Sequence, residues 1–268
     1  METRAFHVLL KPDSFWRGTY GEIIRILLDK QCQIINYNII APSDALLNAM
    51  YLHSFKWTYD YFHHMKKLFS LGPSLSLVCV CDVEEDELEY FFKSIKGAAL
   101  PIDPSFRGSI RKQLGVADRS INSVHIADNL ERTNSELKLI YGGTGQAIVK
   151  VQKNTYTQCE LEQQISNLLP VSQYRYSQIE QTVVNRIRDR YRAIYGFENE
   201  NPLIRKLYSV IKDSKCYYEI KNADMRWRYW DYILGLCVPA QIYVSPIERY
   251  IIKSDCLYHN INLSGFVF

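Results

Sequence analysis

The order in which strand-like and helix-like periodicities follow one another through the first half is the strongest constraint on how this chain folds. AFHVLL (5–10) reads as a strand, GEIIRILLDKQ (21–31) sets apolar residues at 23, 24, 27 and 28 on one helical face, and CQIINYNIIA (32–41) returns to an Ile-rich strand. Ser43 and Asp44 then open a helix through SDALLNAMYLHS, and DYFHHMKKLFS (60–70) carries apolar positions 61, 62, 65, 68 and 69 on another. LSLVCVC (75–81) reads as a buried strand, EDELEYFFKSIKG (85–97) as a helix stopped by Gly97, and NSVHIAD (122–128) as a short last strand. The order is β-α-β-(αα)-β-α-β, and NLERTNSELKLIYG (129–142) follows as a capped helix.

Two segments stand outside these periodicities. GAALPIDPSFRGSIRKQLGVADRS (97–120) is a long connection with two prolines and three glycines, of the kind compact domains keep for function or leave disordered. GGTGQ (142–146) lacks both the Lys-Ser/Thr ending of a phosphate-cradling loop and the G-x-G-x-x-G spacing, so it reads as a hinge. It divides the chain into domains 1–145 and 146–268. The hydrophobic share of 47% supports a packed core in each.

Beyond the hinge the composition shifts to Tyr, Asn and Arg. YSQIEQTVVNRIRDRYRAIYG (176–196) is a long helix with Arg186, Arg188, Arg190 and Arg192 opposite its apolar stripe. NPLIRKLYSVIKDS (201–214) and MRWRYWDYILGLCV (225–238) are further helices, Trp227, Tyr229 and Trp230 belong to this half's core, and QIYVS and YIIKS suggest a short strand pair. The formal charge of +3 falls entirely after residue 151, too weak and too little supported by aromatic ladders to read as a nucleic-acid surface. The arginine face is taken as solvated.

Seven scattered cysteines, odd in number and without a C-x-x-C pair, argue against a disulfide framework or zinc site and for a reducing, cytoplasmic setting. METRAFHVLLKPD is too short in its apolar run for a secretory signal, and LSLVCVC falls far below the roughly 20 residues a membrane helix needs. The acidic run Glu84–Glu87 with Glu89 is explained by its place at a helix start, so no metal site is assigned. Cys79 and Cys81 share one side of a buried strand and read as inert.

ETRAFHVLLKPDSFWRGTYGEII, the LGP at 71–73, RGSIRKQLG and NSVHIAD followed by Glu136 together resemble a nucleoside diphosphate kinase domain over about residues 2–141. The resemblance implies a ferredoxin-like βαββαβ antiparallel sheet with helices on its faces, an α/β (α+β) fold, joined here to a mainly helical C-terminal domain. It implies transfer of the terminal phosphoryl group of a nucleoside triphosphate to a nucleoside diphosphate through a histidine, which maps to His125 in Asn122-Ser-Val-His125. Imidazole suits that role because an unperturbed pKa of about 6.5 leaves a neutral nucleophilic nitrogen available. Glu136 matches the carboxylate that orients the ring, and Ala127 stands where the family has a serine bonded to that carboxylate, so Glu136 is expected to be held less firmly.

The resemblance also assigns Arg111 to phosphate and Lys93 to the place of a second arginine, with the charge kept and the fork lost. Ala99 replaces a phosphate-binding threonine. Tyr51 matches an active-site tyrosine, Lys11 and Asn122 the groups that hold the ribose hydroxyls, and Tyr61 the aromatic on which the base stacks. Mg2+ is implied with the nucleotide, and assembly into dimers or higher homo-oligomers is implied as well. His7, His53, His63, His64 and His259 have no matched partners and are taken as surface or packing residues. Two function classes stay open: a phosphohistidine phosphotransferase, and a nucleotide-binding or nucleotide-processing module whose altered clamp leaves weak or no kinase activity.

Overall fold

β1 (Thr3–Leu10) organises the first half of the chain, because strands pair with it on both sides. In the computed structural model, residues 3–51, 59–98, 108–115, 120–151, 155–168, 179–194, 223–254 and 256 are described, with 202, 203, 206, 209 and 210. β1 runs antiparallel to β3 (Ser74–Asp82) along its whole length and to β4 (Val124–Ile126) at its end, while β2 (Gln33–Ile40) pairs with the outer side of β3. The order is β2-β3-β1-β4, antiparallel throughout. α2 (Tyr20–Asp29) links β1 to β2 and α5 (Leu88–Lys96) links β3 to β4, which makes the unit a ferredoxin-like βαββαβ fold.

Alternation along the strands sorts the core into two faces. Phe6, Val8, Leu10, Leu75, Leu77, Cys79 and Cys81 turn to the side of Ile23, Ile24 and Leu27 of α2 and Phe92 and Ile95 of α5. Ala5, Val78 and Val80 turn the other way, toward Leu137 of α7 (Leu130–Tyr141) and Ile148 of α8 (Gly145–Val151). Short α1 (Pro12–Trp16) follows β1, α3 (Asp44–Tyr51) and α4 (Tyr59–Phe69) lie between β2 and β3, and α6 (Ile110–Gln113) lies between α5 and β4. Ser43 starts α3 by accepting the Leu46 N–H on its Oγ at 3.2 Å, as the sequence suggested.

The hinge expected at 142–146 is not where this compact unit ends. Gly142, left-handed at φ 73°, caps α7, and the chain re-enters a helix at once as α8. Tyr156 then bridges to Ile34 on the edge of β2, and α9 (Gln158–Leu168) packs on α2, with Leu161 and Ile165 fully buried in the same core as Ile23 and Ile24. The first compact unit accordingly runs to Gln173, and the second is Tyr174–Phe268. The sequence placed the boundary at the most glycine-rich point, and apolar burial carries it later.

Among the described residues the second unit is helical, with α10 (Ile179–Ile194), α11 (Ala223–Cys237) and α12 (Pro246–Ser254) as its longer helices. Val183, Ile187, Trp230, Ile233, Ile251 and Ile252 are among its buried residues. The strand pair suggested by QIYVS and YIIKS is absent, since YIIKS forms the end of α12. Arg186 is not part of a free basic face either: it lies 2.8 Å from the buried Glu248. Most of 201–214 lies outside the described residues, as do His53, Ala99 and His259.

Candidate active site

The antiparallel register brings three polar residues to the face of the sheet beneath α7. Leu9 stands opposite both Ser76 and His125, so Ser76, His125 and His7 project to the side away from α2. α7 lays Glu136 over them. Its start is fixed by Asn129, whose side chain accepts the Arg132 N–H at 3.0 Å, and its end by Gly142.

Glu136 is fully buried and both of its oxygens are used. His125 Nε2 donates to Oε1 at 2.9 Å and His7 Nδ1 donates to Oε2 at 2.6 Å. Burial pulls the Glu136 carboxyl upward, but His125 and His7 outweigh it and hold the group well below the usual carboxylate range. Burial lowers His125 below the ordinary imidazole value, with Glu136 opposing. A carboxylate only accepts, so the hydrogen of neutral His125 sits on Nε2 and leaves the Nδ1 lone pair available. No bond to Nδ1 occurs among the described residues, and the side chain keeps 12% exposure, enough to meet a ligand.

The turn that presents His125 is strained and clamped. Ser123 adopts φ 61°, and the Val124 N–H donates back to the Asn122 carbonyl at 2.7 Å. A left-handed non-glycine costs about 1–3 kcal/mol and persists only where its surroundings impose it. Asp13 Oδ2 accepts from Ser123 N at 2.7 Å and from its Oγ at 3.1 Å, Arg17 donates to the same Oγ at 3.2 Å, and Lys11 N–H donates to the Ser123 carbonyl at 2.9 Å. The Lys-Pro-Asp segment thus holds the turn before His125. Lys11, 1% exposed, also sends its Nζ to the Ser120 carbonyl.

Cationic groups surround the same strand. Arg111 of α6 donates from Nη2 to the Val124 carbonyl at 2.8 Å and from Nη1 to the Gly97 carbonyl at 3.3 Å, while its buried Nε has no partner among the described residues. Gly97 ends α5 at φ 80°, and a Cβ there would stand 2.2 Å from Ser109 Oγ, so only glycine lets α5 and α6 approach this closely. Tyr51, at the end of α3, meets the His125 ring edge-on with centroids 5.5 Å apart, and burial pushes its phenol far above the usual value. Tyr61 on α4 lies within electrostatic reach of Arg111. Asn122 is buried in the turn itself.

Lys93 does not join this group. Half-exposed at 51%, it pairs with Glu89 at 3.6 Å. The lysine of α5 that reaches β4 is Lys96, with Nζ 2.8 Å from the Ile126 carbonyl and 2.5 Å from Asp128 Oδ1, and its pKa is lowered by burial and by Arg111. A signal for this existed in the sequence: with 3.6 residues per turn, Lys96 lies about 60° nearer than Lys93 to the stripe of Leu88, Phe92 and Ile95. His7 had no such signal. The sequence reads it as surface or packing; it is fully buried and also supplies a second bond to Glu136, which Ala127 does not. Of the other histidines described, His64 is buried and His63 exposed.

Residues 4–145 match the family model for nucleoside diphosphate kinase. The nucleoside diphosphate kinase of Streptomyces coelicolor is 31% identical over 140 residues, which cover 51% of this chain and 94% of that protein. The enzyme of Saccharopolyspora erythraea is 29% identical over 133 residues, 49% of this chain and 92% of that one. Among solved structures, the Aquifex aeolicus nucleoside diphosphate kinase aligns at 20% identity with a TM-score of 0.44, over 52% of this chain and 96% of its own.

Proposed function

The chain belongs to the nucleoside diphosphate kinase family through residues 4–145, and we infer that this domain moves the terminal phosphoryl group of a nucleoside triphosphate to a nucleoside diphosphate by way of phosphorylated His125. The observation that carries the reading is the His125–Glu136 pair, in which Nε2 is anchored at 2.9 Å and Nδ1 is left open. In the first half-reaction the Nδ1 lone pair forms an N–P bond as the bond from phosphorus to the bridging oxygen breaks, and the electron pair leaves with the diphosphate. Nε2 keeps its hydrogen, and the Glu136 carboxylate balances the positive charge that the ring acquires. A second diphosphate reverses the step and takes the phosphoryl group.

The remaining residues have roles consistent with this chemistry. Phosphoryl transfer relies on positioning and on cations around the moving group, which Arg111, Lys11 and Lys96 supply from three elements. Tyr51 shields one side of the imidazole, Asn122 and Lys11 serve the ribose, and Tyr61 serves the base. Among the described residues no group of three His, Cys, Asp or Glu side chains is arranged to hold a metal ion, and the cations fit phosphate oxygens instead. Mg2+, which the family resemblance implies, would come with the nucleotide and would add positive charge at its phosphates beside these side chains. Self-association as a dimer or larger homo-oligomer is part of the proposal. Free thiols, buried at all described cysteines except Cys159, support a reducing cytoplasmic setting, and among the described residues no helix is long and apolar enough to cross a membrane.

The test is label transfer. Protein exposed to ATP carrying a labelled γ-phosphate is expected to form an acid-labile, alkali-stable phosphoenzyme and to pass the label to an added nucleoside diphosphate. His125→Ala is expected to do neither, and acid-stable label or label surviving in that variant overturns the assignment. The position of Lys93, paired with Glu89 and half-exposed, favours a second reading in which the site binds a phosphate ligand with little turnover. Label transfer itself separates the two: a phosphoenzyme that passes its label to the added diphosphate supports the kinase, and nucleotide binding without a phosphoenzyme supports the binding module.

A further inference from the structure

His7 is a fully buried histidine that the reaction written above does not use. Its two ring nitrogens are both engaged, Nδ1 with Glu136 Oε2 at 2.6 Å and Nε2 with Ser76 Oγ at 3.0 Å, and Ser76 Oγ lies 3.1 Å from the Tyr141 hydroxyl. Counting donors and acceptors orders the hydrogens. Glu136 only accepts, so His7 donates to it from Nδ1, and in the tautomer with a single ring hydrogen its Nε2 accepts from the Ser76 hydroxyl, which in turn accepts from Tyr141. The hydrogens run one way from Tyr141 through Ser76 and His7 to Glu136, and the hydrogen of His125 meets them there from the other side. Three strands and one helix supply the chain: His7 from β1, Ser76 from β3, His125 from β4, and Glu136 and Tyr141 from α7.

We propose that His7 is a positioning residue for His125: by occupying Oε2 of Glu136 it leaves Oε1 alone to face the nucleophile and holds His125 in the tautomer whose Nδ1 is open. The proposal rests on the phosphohistidine reading above. A carboxylate with one oxygen unbonded in a buried site rotates to find another donor, and its bond to His125 is then no longer directional. The His7 donor also draws charge density from Glu136, which reduces the pull of the carboxylate on a proton at His125. The groups facing His125 are Glu136 from α7, His7 from β1, Lys96 from α5, Tyr51 from α3 and Asp128 beyond β4. Those facing His7 are Glu136, Ser76 and His125.

Asparagine and glutamine divide the two functions of the ring. Asn at position 7 places its amide nitrogen near the place of Nδ1, toward Glu136, whereas Gln places it near Nε2, toward Ser76. In the full chain His7→Leu and His7→Gln are expected to lower kcat for phosphoryl transfer by about 10- to 100-fold, the usual cost of losing a partner that orients a functional group. KM for the diphosphate should stay near its wild-type value, since the lost interaction acts on the nucleophile. The acid limb of the pH–rate profile should move to higher pH, and His7→Asn should recover most of both effects. Nitrogen-15 NMR of the ring nitrogens supplies a readout that needs no activity: wild-type His125 should carry hydrogen on Nε2, and the leucine and glutamine variants should show mixed tautomers. Unchanged kcat and acid limb in folded His7→Leu or His7→Gln, an asparagine variant no better than the glutamine one, or a wild-type His125 with hydrogen on Nδ1 each overturns the proposal. If the wild type forms no phosphoenzyme, the kinase reading fails, and the NMR comparison still decides whether His7 sets the tautomer.

Discussion

Glu136→Gln changes a single atom type at the centre of the site, and its effect can be worked from the acceptor count. The wild-type carboxylate receives two imidazole N–H groups, at 2.9 Å from His125 and 2.6 Å from His7. An amide offers one oxygen and one N–H2, so one of the two rings must move its hydrogen to its other nitrogen. If that ring is His125, Nδ1 is protonated and the nucleophile is lost; if it is His7, the nucleophile survives without a negative partner. The smaller loss sets the minimum. A hydrogen bond to a charged group contributes about 1.5–3 kcal/mol, and at 1.36 kcal/mol per tenfold in rate its loss slows phosphoenzyme formation by about 10- to 150-fold. Single-turnover quenching with γ-labelled ATP measures this directly. The acid limb should also fall to lower pH, because Glu136 raises the proton affinity of His125 against the effect of burial. A folded Glu136→Gln protein that labels at the wild-type rate refutes the reasoning, since the charge of Glu136 would then do nothing for the ring.

In the wild type, burial keeps His125 neutral below its ordinary value, so label formation is expected to persist under pH of about 6.5 and to fail only in more acid solution; a rate already falling above that value contradicts the burial seen here. Stability should decrease on acidification in two stages. His125, lowered on folding, contributes fully above about pH 6.5 and loses that contribution as pH falls toward its folded value, and Glu136, also lowered, contributes fully above about pH 4.3 and loses it as pH falls through its own lowered value. Urea midpoints at about pH 7.5, 5.5 and 4 should fall in that order. Leu161→Ala and Ile165→Ala should each cost about 2–5 kcal/mol, because both side chains are fully buried in the sheet's own core; denaturant midpoints within error of wild type would restore a boundary near 145. A chain ending at Val151 loses the Tyr156 bridge to Ile34 on the β2 edge and the packing of α9 on α2, and should self-associate more with rising concentration in light scattering than the chain ending at Gln173.

The succession of strands and helices in the first half was legible because periodicity is a local property: residues 5–10, 75–81 and 130–141 carry their pattern without reference to anything distant. Two helices were missed although their start signals were present. Ser245-Pro-Ile-Glu248 opens α12 with the Ser245 N–H donating to Glu248 Oε2 at 2.8 Å and the Glu248 N–H to Ser245 Oγ at 3.2 Å, and Thr157 and Glu160 repeat the arrangement at α9. In α12 the apolar run YII fits a strand as well as a helix, because short apolar runs do not distinguish the two.

By itself the sequence determined the order of elements, while the pairing of His125 with Glu136 eleven residues later and the expected roles of Lys11, Asn122 and Arg111 came from its resemblance to a family; of these the structure shows the His125–Glu136 contact. What only the tertiary structure decided was which residues complete the site. His7 and Glu136 are 129 positions apart and meet because β1 pairs with β4 in one particular register; a shift of one residue would turn His7 to the α2 face and leave the carboxylate half bonded. Lys96 displaces Lys93 because the rotation of α5 against the sheet buries one and exposes the other. The compact unit runs to Gln173 because Leu161 and Ile165 find their burial on α2, a contact set by three-dimensional proximity that no local pattern encodes.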